Sequence, residues 1–120
     1  MTGFTDRRTS ERYNVKVEVN LKRILDSSIF TSFTRDLSRG GLCLNLKSPL
    51  EPNEQLKLQM SLILSPDAQS EPLELKGRVA WCSEDDDGQY QIGVSFVSVE
   101  EETHKHISTF IELLEDKLPT

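Results

Sequence analysis

From Tyr13 to Lys22 the chain alternates without a break. Tyr13, Val15, Val17, Val19 and Leu21 fall on one phase, and Asn14, Lys16, Glu18, Asn20 and Lys22 on the other. A period of two over that length predicts a strand with one buried face. The alternation returns at Leu42, Leu44 and Leu46, then from Leu56 to Leu64, from Leu73 through Gly77 to Trp81, and from Tyr90 to Phe96. A less regular stretch from Ile29 to Thr34 predicts a further strand after a turn at Asp26-Ser27-Ser28. Breakers separate the rest: Ser48-Pro49, Pro52-Asn53, Ser65-Pro66-Asp67 and Asp85-Asp86-Asp87-Gly88. Six amphipathic strands with mostly short connections predict an antiparallel barrel or sandwich, and closure into a barrel would hide the exposed edges. Gly77, in mid-strand, reads as a barrel corner.

After Phe96 the period changes to that of a helix. Glu100, Glu101 and Glu102 suit a helix N-terminus, Ile107, Phe110, Ile111, Leu114 and Leu118 form an apolar stripe, and Pro119 ends it. That stripe is expected to lie on the barrel, the alternative being a partner's surface. The expected organisation is therefore a mainly β single domain: an N-terminal arm over 1–12, a barrel over 13–97 and a C-terminal helix over 98–118.

Composition narrows the function. A chain of 120 residues is one domain in size. It has no run of about eighteen apolar residues, and its N-terminus is polar, so a cytoplasmic protein without membrane insertion is expected. The net charge of −6 is unevenly spread: residues 1–47 carry nine Lys/Arg against five Asp/Glu, residues 48–120 five against fifteen. An acidic whole with one basic region disfavours binding along DNA or RNA and suits a small anion captured locally. Cys43 and Cys82 lie within predicted strands and read as reduced packing residues, with no His or Cys at metal-ligand spacing. His104 and His106, two apart on the helix, point in different directions. The acidic run from Glu84 lacks the length and closing Glu of a calcium loop and reads as a solvated hairpin tip. No nucleophile stands beside a base, so no enzyme, metal or cofactor is expected.

The candidate site is built from Arg8 and Arg12, four apart ahead of the first strand, and the turn Asp36-Leu37-Ser38-Arg39-Gly40-Gly41. Guanidinium is planar and permanently charged, and it can clamp a phosphate or present two donors to the N7 and O6 acceptors of guanine. Asp36 is an acceptor matched to guanine's ring N–H and exocyclic amine. Ser38 could donate to a phosphate oxygen, while Gly40 and Gly41 could let the backbone turn and present N–H groups. A hairpin closed by Asp36 bonding its own backbone would need no ligand. Trp81, in phase with Val79, reads as a core residue, the alternative being a stacking platform.

The two halves, in this order, resemble the signature of PilZ domains, bacterial receptors for cyclic di-GMP: R-x-x-x-R, then D/N-x-S-x-x-G roughly twenty to thirty residues later. Arg8, Arg12, Asp36, Ser38 and Gly41 match every signature position. Gly77-Arg78-Val79-Ala80-Trp81 and Ile92-Gly93-Val94-Ser95-Phe96 resemble the family's last two strands. The resemblance implies a PilZ-like split barrel and a second-messenger receptor or adaptor whose N-terminal arm is flexible and folds over cyclic di-GMP. With no output domain, such a receptor would act on a downstream protein in motility, biofilm, secretion or polysaccharide output. It further implies that Arg7, next to the first signature arginine, favours two stacked cyclic di-GMP molecules over one. A ligand-independent interaction module on the same barrel is the alternative.

Overall fold

The computed structural model describes residues 12–65, 67–69 and 72–117. The first alternating stretch turns its apolar phase inward, burying Tyr13, Val17, Val19 and Leu21. Regular pairing nevertheless begins only at β1 (Glu18–Arg23). The reason lies in Thr34: its hydroxyl accepts the Val17 N–H at 2.9 Å and donates to the Val15 carbonyl, occupying groups that a continuous ladder would use. Upstream, Tyr13 keeps a single bridge to Leu37, the two exchanging backbone bonds of 2.9 and 3.0 Å.

The remaining elements are β2 (Ile29–Leu37), β3 (Gly41–Leu46), β4 (Gln55–Met60), β5 (Ile63–Ser65), β6 (Ala68–Gln69), β7 (Leu73–Glu84), β8 (Tyr90–Val97) and α1 (Glu101–Lys117). Six of the strands close into an antiparallel barrel in the order β1-β2-β3-β8-β7-β4, with β4 pairing back onto β1. The interior is filled by leucine, valine and isoleucine from every wall, Leu21, Leu44, Leu58, Val79 and Ile92 among them. Each such side chain contributes roughly 1.5–3 kcal/mol on burial, so the alternating positions that mark the strands also supply the core.

Three features depart from the periodicity. The strand expected to run to Leu64 stops at Met60, which pairs with Val19 on one side and Leu73 on the other. Beyond it, β5 pairs with β6 as a separate hairpin, and α1 packs on β5 and β7. At Gly77 the register with Leu56 and Phe96 is uninterrupted, and the glycine has a packing reason. A Cβ there would stand 2.7 Å from Val94 Cγ1 and 3.2 Å from Leu58 Cδ1, so the crowded interior requires the glycine. The irregularity falls instead between Val79 and Trp81, where a β-bulge at Ala80 shifts the register.

That bulge overturns the core reading of Trp81, which is 40% exposed on the outside. The next residue, Cys82, is half-buried, and neither it nor the buried Cys43 is disulfide-bonded. Asp85 closes the β7–β8 tip by accepting the N–H groups of Asp87 and Gln89, as expected of a solvated turn. The helix opens at Glu101 rather than Ser98, because Ser98 holds a left-handed φ of 52° and the first helical bond runs from His104 to the Glu100 carbonyl. Ile107, Phe110 and Ile111 are buried against the barrel. Leu118 lies outside the described residues, and no described helix is long and apolar enough to cross a membrane.

Candidate functional site

The Tyr13–Leu37 bridge determines where the arginine segment meets the barrel. With Tyr13 anchored beside the end of β2, the preceding Arg12 reaches Asp36, and Arg12 Nη1 donates to Asp36 Oδ1 at 2.7 Å. The arginine side chain is 44% exposed and the carboxylate 16%. A pair this open is worth roughly 0–1 kcal/mol, so neither group is firmly committed to the other. Arg7 and Arg8 lie outside the described residues.

Ser38 is 2% exposed and works within the turn itself. Its Oγ accepts the N–H groups of Gly40 and Gly41 at 3.2 and 3.1 Å and donates to the Gly41 carbonyl at 3.2 Å. The turn is therefore closed by the serine, while Asp36 is left to face Arg12. Gly40 passes its carbonyl to the Phe96 N–H at 2.9 Å, tying the turn to β8. Gly41 has a steric reason: a Cβ would lie 2.2 Å from the Val94 carbonyl oxygen, so only glycine lets β3 approach β8 here. In this structure the N–H groups of both glycines are spent on Ser38.

Register carries this chemistry across the wall. Asp36 pairs with Cys43, Cys43 with Gly93, and Gly93 with Trp81, forming one outward row over β2, β3, β8 and β7. The Trp81 ring lies over Gly93, where a Cβ would come within 2.2 Å of its Nε1. With neighbouring strands about 4.8 Å apart, Asp36 and Gly93 are roughly 10 Å apart, so the carboxylate and the indole over Gly93 bracket a short strip centred on Cys43. Burial pushes the Cys43 thiol up, reinforced by the nearby Asp36 carboxylate, so Cys43 is a neutral floor rather than a nucleophile. No group of three or more His, Cys, Asp or Glu among the described residues could hold a metal ion. Trp81 and Gly93 are the members of this strip that periodicity misses, and a bulge leaves no mark in a hydrophobic pattern.

Six antiparallel strands closed into a barrel, with one packed helix and polar groups gathered at the β2–β3 turn, define a small β-barrel domain. The sequence matches the PilZ domain family over residues 6–113, and the chain belongs to that family. Solved structures with the same fold include the Bacillus subtilis inhibitor of motility MotI/DgrA (TM-score 0.77, 14% identity, 94% of this chain and 54% of that one). The chain thus spans about half the length of that protein. Two isolated PilZ domains match along nearly their whole lengths. One is from Escherichia coli YcgR, solved with c-di-GMP (TM-score 0.69, 16% identity, 92% and 93% covered). The other is from CeSA of a cellulose-synthesising bacterium (TM-score 0.64, 21% identity, 88% and 99% covered). A search of curated proteins finds no match to this sequence.

Proposed function

We propose that this protein is a cyclic di-GMP receptor, without enzymatic activity, that alters its surface on binding and so regulates a partner protein. The observation that carries the reading is the Arg12–Asp36 pair, a guanidinium and a carboxylate 2.7 Å apart at the signature turn. Guanine offers acceptors to the first and two donors to the second, so one base can replace the contact the two groups make with each other. Adenine lacks the donor pair for the carboxylate. Arg8 would supply a second guanidinium to the phosphates, Arg7 a third, and the Ser38-Gly40-Gly41 turn a rigid base beneath them. Trp81, exposed at the far end of the strip, would stack on a base. Membership of the PilZ family and the likeness to the c-di-GMP-bound YcgR domain support this assignment.

In this reading the segment 1–12 closes over the ligand, and closure creates the altered surface that a partner in motility, biofilm, secretion or polysaccharide output would recognise. Differential affinity for the two arm positions is what drives the change, because the arginines meet the nucleotide only when closed. Titration calorimetry with cyclic di-GMP, cyclic di-AMP and GTP tests it. Cyclic di-GMP should bind at least tenfold more tightly than cyclic di-AMP, and emission from Trp81, the sole tryptophan, should change on binding. Equal affinities would reject the guanine assignment. A ligand-independent interaction module would give no heat with any of the three.

A further inference from the structure

The opposite wall of the barrel carries a second charged surface. Lys22 of β1 lies directly across from Lys57 of β4, and Lys57 directly across from Lys76 of β7. All three are exposed, and none makes an ion pair among the described residues, whereas the neighbouring Arg23 engages both Asp26 and Glu54. Like charges set opposite each other on adjacent strands repel. In a chain with twenty acidic residues to fourteen basic ones, a row of three unpartnered lysines opposes the fold's own stability. The row lines a groove of about 690 Å³, ending at the exposed Ile29 on β2 and at the Ser98–Glu100 linker beyond β8. Arg78, one outward position further along β7, adds a fourth cation beside it.

We infer that this groove is a docking site for an acidic helical segment of a partner protein. Spacing decides between helix and strand. Three adjacent strands place the outer lysine positions roughly 10 Å apart. Carboxylates at i, i+4 and i+7 of a helix span about 10.5 Å, whereas three same-side residues of an extended peptide span about 13 Å. Ile29, 67% exposed at one end of the row, supplies an apolar anchor. Nucleic acid fits less well, because a phosphate backbone needs a broad basic surface, and here the basic surface is a short row on an acidic molecule. Glu74 and Glu100, which bound the groove, restrict the partner's acidic stretch to the lysine row itself. A bilayer surface is opposed by the exposed Glu51 beside the exposed Ile24 and Leu25. The site lies on β1, β4 and β7, across the barrel from Asp36, and does not depend on the nucleotide reading.

The probe is a fluorescently labelled alanine-rich helical peptide with glutamates at i, i+4 and i+7 and one flanking leucine, followed by anisotropy at low and high salt. Binding is expected, weakening with salt, and falling tenfold or more in Lys57→Glu. Lys47→Glu makes the same change in net charge at an exposed position off the row and should leave binding intact. Circular dichroism verifies folding; if Lys57→Glu does not fold, Lys57→Gln and Lys22→Gln carry the comparison, each expected to weaken binding severalfold. Absence of binding, or an equal loss in Lys47→Glu, overturns the proposal. It is also overturned if duplex DNA or phosphatidylglycerol vesicles bind through the same lysines as tightly as the peptide.

Discussion

Arg12 and Gly41, both signature residues, do different physical work, and two substitutions separate them. Arg12→Ala removes an exposed ion pair and should leave thermal stability nearly unchanged. In the proposed complex it removes a charge-assisted bond worth about 1.5–3 kcal/mol, so calorimetry should show cyclic di-GMP affinity lower by tenfold or more. Arg12→Lys should recover only part, for want of the planar fork. Gly41→Ala behaves in the reverse order. Its Cβ would enter the space of the Val94 carbonyl, so β3 and β8 must part, and denaturant unfolding should show a loss of about 2 kcal/mol or more before any ligand is added. The sequence names both residues, but only the packing of β8 against the turn shows that Gly41 is a steric necessity.

Among the elements, the β1–β4 rim carries the best-satisfied charges. Arg23 donates from Nε and Nη2 to the two oxygens of Glu54, whose Oε2 also accepts the Glu51 N–H at 2.9 Å. Burial alone would push Glu54 up, but the Arg23 hydrogen bonds, the Glu51 N–H and the guanidinium charge together hold it below the ordinary value of 4.5. A carboxylate depressed in the folded state stabilises the protein above its unfolded value, and that contribution is lost as pH falls through the folded one. Arg23→Ala is therefore expected to cost about 1–3 kcal/mol near neutral pH, and the gap from wild type should shrink below about pH 4.5. Thermal melts of both proteins across that range check it; a gap that persists at low pH would mean that packing of the arginine stem, not the ion pair, is responsible. Neither partner stands out in the sequence. Arg23 and Glu54 are thirty-one residues apart and meet only because β1 and β4 close the barrel.

At the scale of the whole molecule, the ligand reading makes a claim about the arm and about stoichiometry. Cyclic di-GMP should slow hydrogen exchange of amides around Arg7 to Arg12, while Val19 to Leu21, already paired with both β2 and β4, should change little. If Arg7 lends a third guanidinium to a stacked ligand pair, wild type should bind two molecules per chain and Arg7→Ala should fall toward one, because the phosphates then repel with less counter-charge. Saturation at one ligand in the wild type removes the paired-ligand claim. Unchanged exchange in the arm removes the clamp while leaving the site intact.

The six barrel strands, the inward phase over most of their length and the final helix were legible in the sequence, because burial on one face forces a period of two or 3.6 whatever the fold around it, whereas the β5–β6 hairpin was not. The signature residues were legible as well, since guanidinium, carboxylate and paired glycines have few interchangeable substitutes. Other features depend on through-space relations that no local pattern encodes. Thr34 delays the start of β1 by bonding across to Val15 and Val17, and the bulge after Val79 moves Trp81 from the expected core to the outer wall. The three lysines share one row only because β1, β4 and β7 are neighbours in space while Lys22, Lys57 and Lys76 are far apart in the chain. Periodicity reports which side of a strand is buried; register and closure decide which side chains meet.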